Sequence, residues 1–248
     1  MGAPATEAAI AQIRQLIISG ELGPGARLPS EGPLAERLGV SRNSAREAVR
    51  ALVTARVLDV RRGDGTYVTS LRPELLLEGI GFAVELMRDD TALELIEVRR
   101  LLEPRAVGLA AARVSPAQLQ VIAGCLHDMR QASGHEEFVR LDAAFHDQVN
   151  RASGNETLAS VLRGVSSSSH RARVWRDILE ADATRRTITE HERIYRALQQ
   201  HDAERAERMA LDHVRSTETW LLRVLDPEPS RATRSGAGST TGSAAAGR

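Results

Sequence analysis

At 248 residues and 42% hydrophobic, the chain is long enough and apolar enough for two domains with a sizeable core. No apolar run approaches the roughly 18 residues that span a bilayer. No basic start followed by an apolar core opens the chain, so a membrane or secreted class is excluded and a cytoplasmic location expected. Cys125, the one cysteine, excludes an internal disulfide and a cysteine zinc site. Net charge is zero but unevenly spread: residues 1–72 hold 10 arginines against 7 acids (+3), and residues 73–248 hold 23 against 26 (−3). The N-terminal part is therefore the basic one, as a nucleic-acid-binding domain would be, though its surplus is modest.

In chain order, residues 1–5 are expected to be loose. Thr6 is placed as the cap of a first helix to about Ser19, with Ile10, Ile13, Leu16 and Ile17 on one face. Residues 20–29 form a loop punctuated by glycine and proline. A short helix over residues 33–38 closes at Gly39, a residue that accepts the left-handed conformation of a helix end. Ser41 then stands where an N-cap belongs, and a second helix runs from about Arg42 to Leu52. Ala45, Ala48, Val49 and Leu52 make its buried stripe, while Arg42, Arg46 and Arg50 occupy another face. Helix, turn and helix with arginines on the first turns of the second is the geometry that presents side chains to major-groove base edges. There an arginine can bond guanine O6 and N7 as a pair. An ordinary helix with a solvated arginine face would read the same from this stretch alone.

The residues after Leu52 favour the DNA-reading geometry. The β-prone runs 57–60 and 66–69 flank Arg61-Arg62-Gly63-Asp64-Gly65, which makes a hairpin directly behind the second helix and hence a winged helix-turn-helix. Its basic, glycine-rich tip suits phosphates or a minor groove. Domain boundaries are placed at residues 1–69 for this unit, 70–73 for a linker and 74–225 for a second domain. Helices in the second domain are expected at about 74–88, 91–113, 116–132, 136–153, 155–180, 184–200 and 202–225, an all-α bundle of six or seven helices. The Ser115-Pro116 pair marks one start, Ser153-Gly154-Asn155 marks a break, and the serines at 166–169 are a candidate kink. Residues 226–248, without a large apolar side chain after the prolines, are expected to be disordered. The fold class is thus mainly α, with a small β-hairpin wing.

Asp142 and His146 stand four apart, on one helical face beside the apolar Leu141, Phe145 and Val149. A mutual hydrogen bond is one explanation of such a pair; a metal is the other. His191 and His213 lie on later helices, and bundle cores are places where ligands from facing helices converge. Three imidazoles and one carboxylate suit zinc, nickel or manganese. His127, His135 and His201 carry no such pattern, and His170 lies beside the serine run.

Two resemblances extend this reading. Residues 17–25, Leu28-Pro29-Ser30-Glu31, Leu34-Ala35, Gly39-Val40-Ser41-Arg42, Arg46-Glu47-Ala48 and Gly63-Asp64-Gly65-Thr66 resemble the DNA-binding domain of the GntR family of bacterial transcription regulators over residues 6–69. The resemblance, with the helix geometry, makes Ser41, Arg42, Asn43 and Arg46 on the second helix and Arg62, Gly63 and Thr66 on the hairpin the candidate DNA-binding residues. One position departs from the family: the residue after Glu31, often a DNA-contacting arginine, is Gly32, followed by Pro33. Residues 92–220 resemble the FCD effector domain of the FadR subfamily, through Glu97-Val98-Arg99 with Glu103, Ala110-Ala111, Asp142 with Phe145-His146, Ser153-Gly154-Asn155, Glu190-His191, and Ala210 with His213. That resemblance implies a divalent metal held by Asp142, His146, His191 and His213, beside which a small carboxylate effector binds. It also implies Arg99 as the effector-side arginine, against the alternative of a salt bridge to Glu103 one turn on. Arg171 and Arg173 are further candidates.

The function expected is a ligand-responsive transcription regulator, a repressor, that binds an inverted-repeat operator as a homodimer. Two alternatives stand beside it. A metal-dependent hydrolase with a DNA-binding appendage is disfavoured because His191-Glu192-Arg193-Ile194-Tyr195 lacks the second histidine of a zinc-protease motif and no nucleophile elbow or phosphate-cradling loop appears. A DNA-binding dimer with a purely structural helical domain is the other.

Overall fold

α1 (Ala3–Ile18) starts earlier than its sequence suggested. Residues 3–5 are helical, and Thr6 lies within the first turns rather than capping them. Pro4 is tolerated there because first-turn N–H groups have no partner in the helix. The computed structural model describes residues 3–87, 91–167 and 182–225. Ala9 and Ile13 of α1 are wholly buried against Leu22, Leu28, Leu34, Leu38, Ala48 and Leu52, which form the core of the N-terminal unit.

α2 (Glu31–Leu38) ends at Gly39, whose φ of 63° is the left-handed conformation that glycine adopts without strain. α3 (Arg42–Thr54) starts at Ser41, whose hydroxyl accepts from the Ser44 N–H at 3.1 Å. β1 (Leu58–Arg61) and β2 (Gly65–Val68) pair antiparallel, Leu58 opposite Val68 and Arg61 opposite Gly65. The stretch before α2, expected as plain loop, covers the outer edge of this hairpin. Leu28 N–H donates to Thr66 O at 2.8 Å, Val68 N–H to Ala26 O at 2.9 Å, and Arg27 bridges to Tyr67. A bare edge of unpaired backbone groups is thereby removed.

The helix expected at about 74–88 is two short ones, α4 (Pro73–Leu76) and α5 (Glu78–Glu85). Gly79 and Gly81 weaken helix in this segment. Six longer helices follow among the described residues: α6 (Ala92–Arg113), α7 (Pro116–Gln131), α8 (His135–Ala152), α9 (Glu156–Ser167), α10 (Ala183–Gln199) and α11 (Ala203–Leu225). Ser115 and Gln118 form a reciprocal capping box at the head of α7, with Pro116 in its first turn. α6 and α11 pack so closely that a Cβ at Gly108 would strike the Glu207 side chain. Val107, Ala110, Ile122, Leu126, Phe138, Phe145, Val149, Ile194 and Leu198 belong to the common core of α6, α7, α8 and α10. No helix among the described residues is long and apolar enough to cross a membrane. The later part of the helix expected to reach residue 180, with Ser168, Ser169, His170, Arg171 and Arg173, lies outside the described residues, as does the tail 226–248.

Candidate DNA interface and metal centre

Cap, turn and stripe together decide which side of α3 faces outward. Ala45 and Ala48 are wholly buried and Leu52 nearly so, with Ser44 buried beside them and Val49 half-buried. Ser41, Arg42, Asn43, Arg46 and Arg50 are left on the exposed side. Arg46 does not point freely into solvent. Its Nε and Nη2 donate to Glu31 Oε1 and Oε2 at 2.9 and 2.6 Å, a bidentate bond from α3 to the first residue of α2. That bond holds the Glu31 carboxyl below its ordinary pKa and raises that of Arg46. The guanidinium of Arg42 lies beside Gly32, its Nη2 3.7 Å from where a Cβ would stand. The space next to the position where the family often carries arginine is thus bordered by another arginine.

In the wing, Gly63 (φ 74°) makes the turn, and Gly65 leaves no room for a side chain because Arg27 lies beneath it. Arg27 donates to the Asp64 carbonyl, the Tyr67 hydroxyl donates to Asp64 Oδ2 at 2.9 Å, and Arg61 stacks over the Tyr67 ring at 4.2 Å. Arg62 is exposed at the tip, and Thr66 is half-buried. Glu31 as partner of Arg46, and Arg27 as support of the wing, were missed in the sequence. Their partners lie 15 and 37 residues away, and no local pattern joins them.

In the helical domain the four implied ligands come from three helices: Asp142 and His146 from α8, His191 from α10 and His213 from α11. All four are buried. One ring nitrogen from each histidine lies within 4.8 Å of the others. Asp142 Oδ1 stands 3.4 Å from His191 Nε2 and 3.7 Å from His146 Nε2. Phe145 stacks on His191 with 4.2 Å between ring centroids and orients that ring.

Two further carboxylates complete the arrangement. His146 Nδ1 lies 2.7 Å from Glu103 Oε1, and His213 Nδ1 lies 2.7 Å from Glu190 Oε2. A carboxylate only accepts, so each Nδ1 carries the proton and each Nε2 keeps its lone pair. His146 Nε2 is buried and has no hydrogen-bond partner among the described residues. Imidazoles held at Nδ1 by carboxylates, with Nε2 free for coordination, are the arrangement of histidine metal ligands. Burial lowers the pKa of His146 against the pull of Glu103 and Asp142, so the ring is neutral, as a ligand must be. The donor set fits a divalent ion.

Arg99 is buried in α6, and its Nε donates to Glu103 Oε2 at 2.9 Å. Glu103 thus bridges Arg99 and His146. Burial would raise its pKa, but Arg99 and His146 together hold it well below the ordinary carboxylate value. Both Glu103 and Glu190 had a signal in the sequence. The first stands one helical turn from Arg99 and the second immediately precedes His191.

Comparison with known proteins agrees with both halves of the molecule. The family described as bacterial regulatory proteins, gntR family, matches residues 5–68, and the FCD domain matches residues 94–216. The HTH-type transcriptional regulator LutR of Bacillus subtilis (strain 168) is 32% identical over 212 residues, spanning 83% of this chain and 96% of the relative. The Glc operon transcriptional activator of Escherichia coli (strain K12) is 31% identical, over 88% of this chain and 89% of the relative. The galactonate operon transcriptional repressor of the same strain is 28% identical, over 88% and 97%. Among solved structures, Streptococcus agalactiae GntR superposes with a TM-score of 0.65 at 32% identity, covering 87% of this chain and 99% of that one.

Proposed function

Because the chain belongs to the GntR family of bacterial transcription regulators, with the FCD domain of its FadR-type branch, we propose that it binds an inverted-repeat operator as a homodimer and senses a small carboxylate at a metal centre. Regulation of transcription through DNA and ligand binding is the family's activity, and the hydrolase alternative falls away with it: the matched families and the relatives named above are regulators, not enzymes. In our reading residues 1–69 bind DNA, 70–73 link, and 74–225 bind effector and dimerise, in the cytoplasm where the operator lies. Ser41, Arg42, Asn43 and Arg46 enter the major groove, and Arg62, Gly63 and Thr66 of the wing meet the backbone or minor groove. The modest +3 of residues 1–72 supports a dimer, since one such unit neutralises few phosphates.

The observation that carries the sensing half is the set of three buried histidines, two with Nδ1 engaged by carboxylates and Nε2 left to coordinate. With Asp142 they would hold zinc, nickel or manganese, which when bound would offer a carboxylate its open positions. The name of one relative supports a carboxylate, since it names a galactonate operon. Arg99, bonded to Glu103 through its Nε, is the candidate counter-ion of the effector's carboxylate. We place repression as the sign of regulation, although a relative named an activator and one named a repressor match alike.

Metal content of the purified protein, followed by DNA binding with and without candidate carboxylates, tests this. Stoichiometric metal and a DNA affinity that changes with one of them are expected. Metal-free protein with full effector response would remove the metal from the reading. Metal without any response would leave the purely structural domain. A reporter behind the selected operator gives the sign.

A further inference from the structure

The α8–α9 hairpin holds a second group of buried polar atoms, one turn beyond the metal centre. Asp142, His146 and Asn150 follow at intervals of four on α8, so Asn150 continues the side that carries the two implied ligands. α9 returns antiparallel to α8 after the short connection at residues 153–155, and Arg163 Nε donates to Asp147 Oδ1 at 2.6 Å, which sets their register. One turn toward that connection leads from Asp147 to Asn150 and from Arg163 to Ser160. Asn150 and Ser160 therefore stand at the same level of the hairpin. They are 3% and 4% exposed. Among the described residues, Asn150 Oδ1 and Ser160 Oγ have no hydrogen-bond partner, nor has Arg163 Nη2.

A buried polar atom without a partner costs stability in the free protein. Two at one level, in line with a third unpartnered atom on His146, point to a ligand that supplies the missing bonds. The unpartnered amide oxygen only accepts and the hydroxyl both donates and accepts, which suits hydroxyl groups rather than a second carboxylate, itself only an acceptor. Four residues of helix separate His146 from Asn150 by about 6 Å. We propose that Asn150 and Ser160 form a hydroxyl-binding subsite for a polyhydroxy carboxylate whose carboxylate end reaches the metal centre. This deepens the carboxylate reading above and rests on it. An acid as short as lactate, with its hydroxyl next to the carboxyl, is too short to engage both ends.

Calorimetric titration of zinc-loaded protein with gluconate, galactonate, hexanoate and lactate tests it, on wild type, Asn150→Leu and Ser160→Ala. Wild type binds at least one sugar acid about tenfold or more tighter than hexanoate and lactate. Each variant loses about 3- to 10-fold of that preference at unchanged metal content. Without ligand, Ser160→Ala also raises Tm by about 2–4 °C, because an unpartnered group has been removed. Unchanged preference in both variants, or a lowered Tm for Ser160→Ala, overturns the subsite and returns these groups to the packing. Wild type that binds lactate or hexanoate as tightly as the sugar acids keeps the carboxylate reading and overturns the subsite. Wild type that binds none of the four overturns both.

Discussion

Two arginine–glutamate pairs divide the molecule between them. Arg46 and Glu31 lie on the exposed side of the helix-turn-helix, their side chains 46% and 50% exposed, and Arg99 and Glu103 lie inside the helical domain at 1% and 2%. The chemistry is the same and the consequences are opposite. A pair in water is screened and keeps much of its hydration, so an arginine bonded along one edge can still take another partner along its other edge. A pair in the core has already lost its hydration, so neither member can leave without stranding the other. On the surface a pair can hold its arginine and still leave it open to a second partner. Function in the core depends on each group being held, as Glu103 holds the proton of His146 on Nδ1 while Arg99 holds Glu103.

The largest expected effect comes from breaking the buried pair. Glu103→Ala strands the Arg99 guanidinium and releases His146, and costs about 3–5 kcal/mol of stability. Glu103→Gln keeps an acceptor for His146 but not the charge, and falls between. Chemical denaturation of wild type and both variants measures this. A Glu103→Ala protein within about 1 kcal/mol of wild type would make the buried pair no different from a surface one.

Next is the proposed metal centre. His146→Ala and His213→Ala each lose stoichiometric metal, and a chelator lowers the Tm of wild type but not of the variants. Because the four proposed ligands join α8, α10 and α11, that loss is also expected to change DNA affinity. Metal retained at wild-type stoichiometry in both variants would remove the site as drawn.

On the surface the effects are on recognition, not stability. Arg46→Ala reduces discrimination between a selected operator and scrambled DNA about tenfold or more, if that arginine reads a guanine. Arg62→Ala weakens all sequences alike and lowers the salt slope by about 1. Competition binding at several salt concentrations separates the two. Relaxed specificity from Arg62→Ala alone would exchange their roles.

The contrast also explains what could be read in the sequence. The helix-turn-helix was legible because its parts are local: Gly39 closes one helix, Ser41 opens the next, and the buried stripe lies within the next eleven residues. The histidines were visible as residues, and Asp142 with His146 as a spaced pair, but their convergence needs α10 and α11 folded back on α8. The break at Leu77 was missed because a run of apolar residues hid two helix-weakening glycines. The long-range polar partners of the winged unit left no trace at all. Nothing near Glu31 announces Arg46, and nothing near Asp64 announces Arg27.

The smallest expected effect is the one that tests the surface pair most closely. Glu31 takes the Nε and Nη2 edge of Arg46 and leaves the Nη1 end of the guanidinium outside that bond. A guanidinium has a second edge, Nη1 with the remaining proton of Nη2, and that edge can meet guanine O6 and N7 as a pair. Glu31 therefore restricts the rotamers of an arginine without consuming its recognition edge. Glu31→Ala releases Arg46 to reorder on binding, which lowers discrimination by about 2- to 10-fold, while the melting temperature stays at that of wild type. Removing a negative charge from the surface proposed to meet DNA has its own effect, a uniform gain in affinity for every sequence. The two contributions separate in one experiment. Competition of the selected operator against scrambled duplex reports discrimination, and the absolute affinity for scrambled duplex reports charge. If affinity rises for both duplexes by the same factor, Glu31 acts only through its charge and the Arg46 geometry plays no part in reading bases. If discrimination falls while scrambled affinity rises, the exposed pair positions its arginine, and Glu31 belongs to the DNA-reading surface although it touches no base.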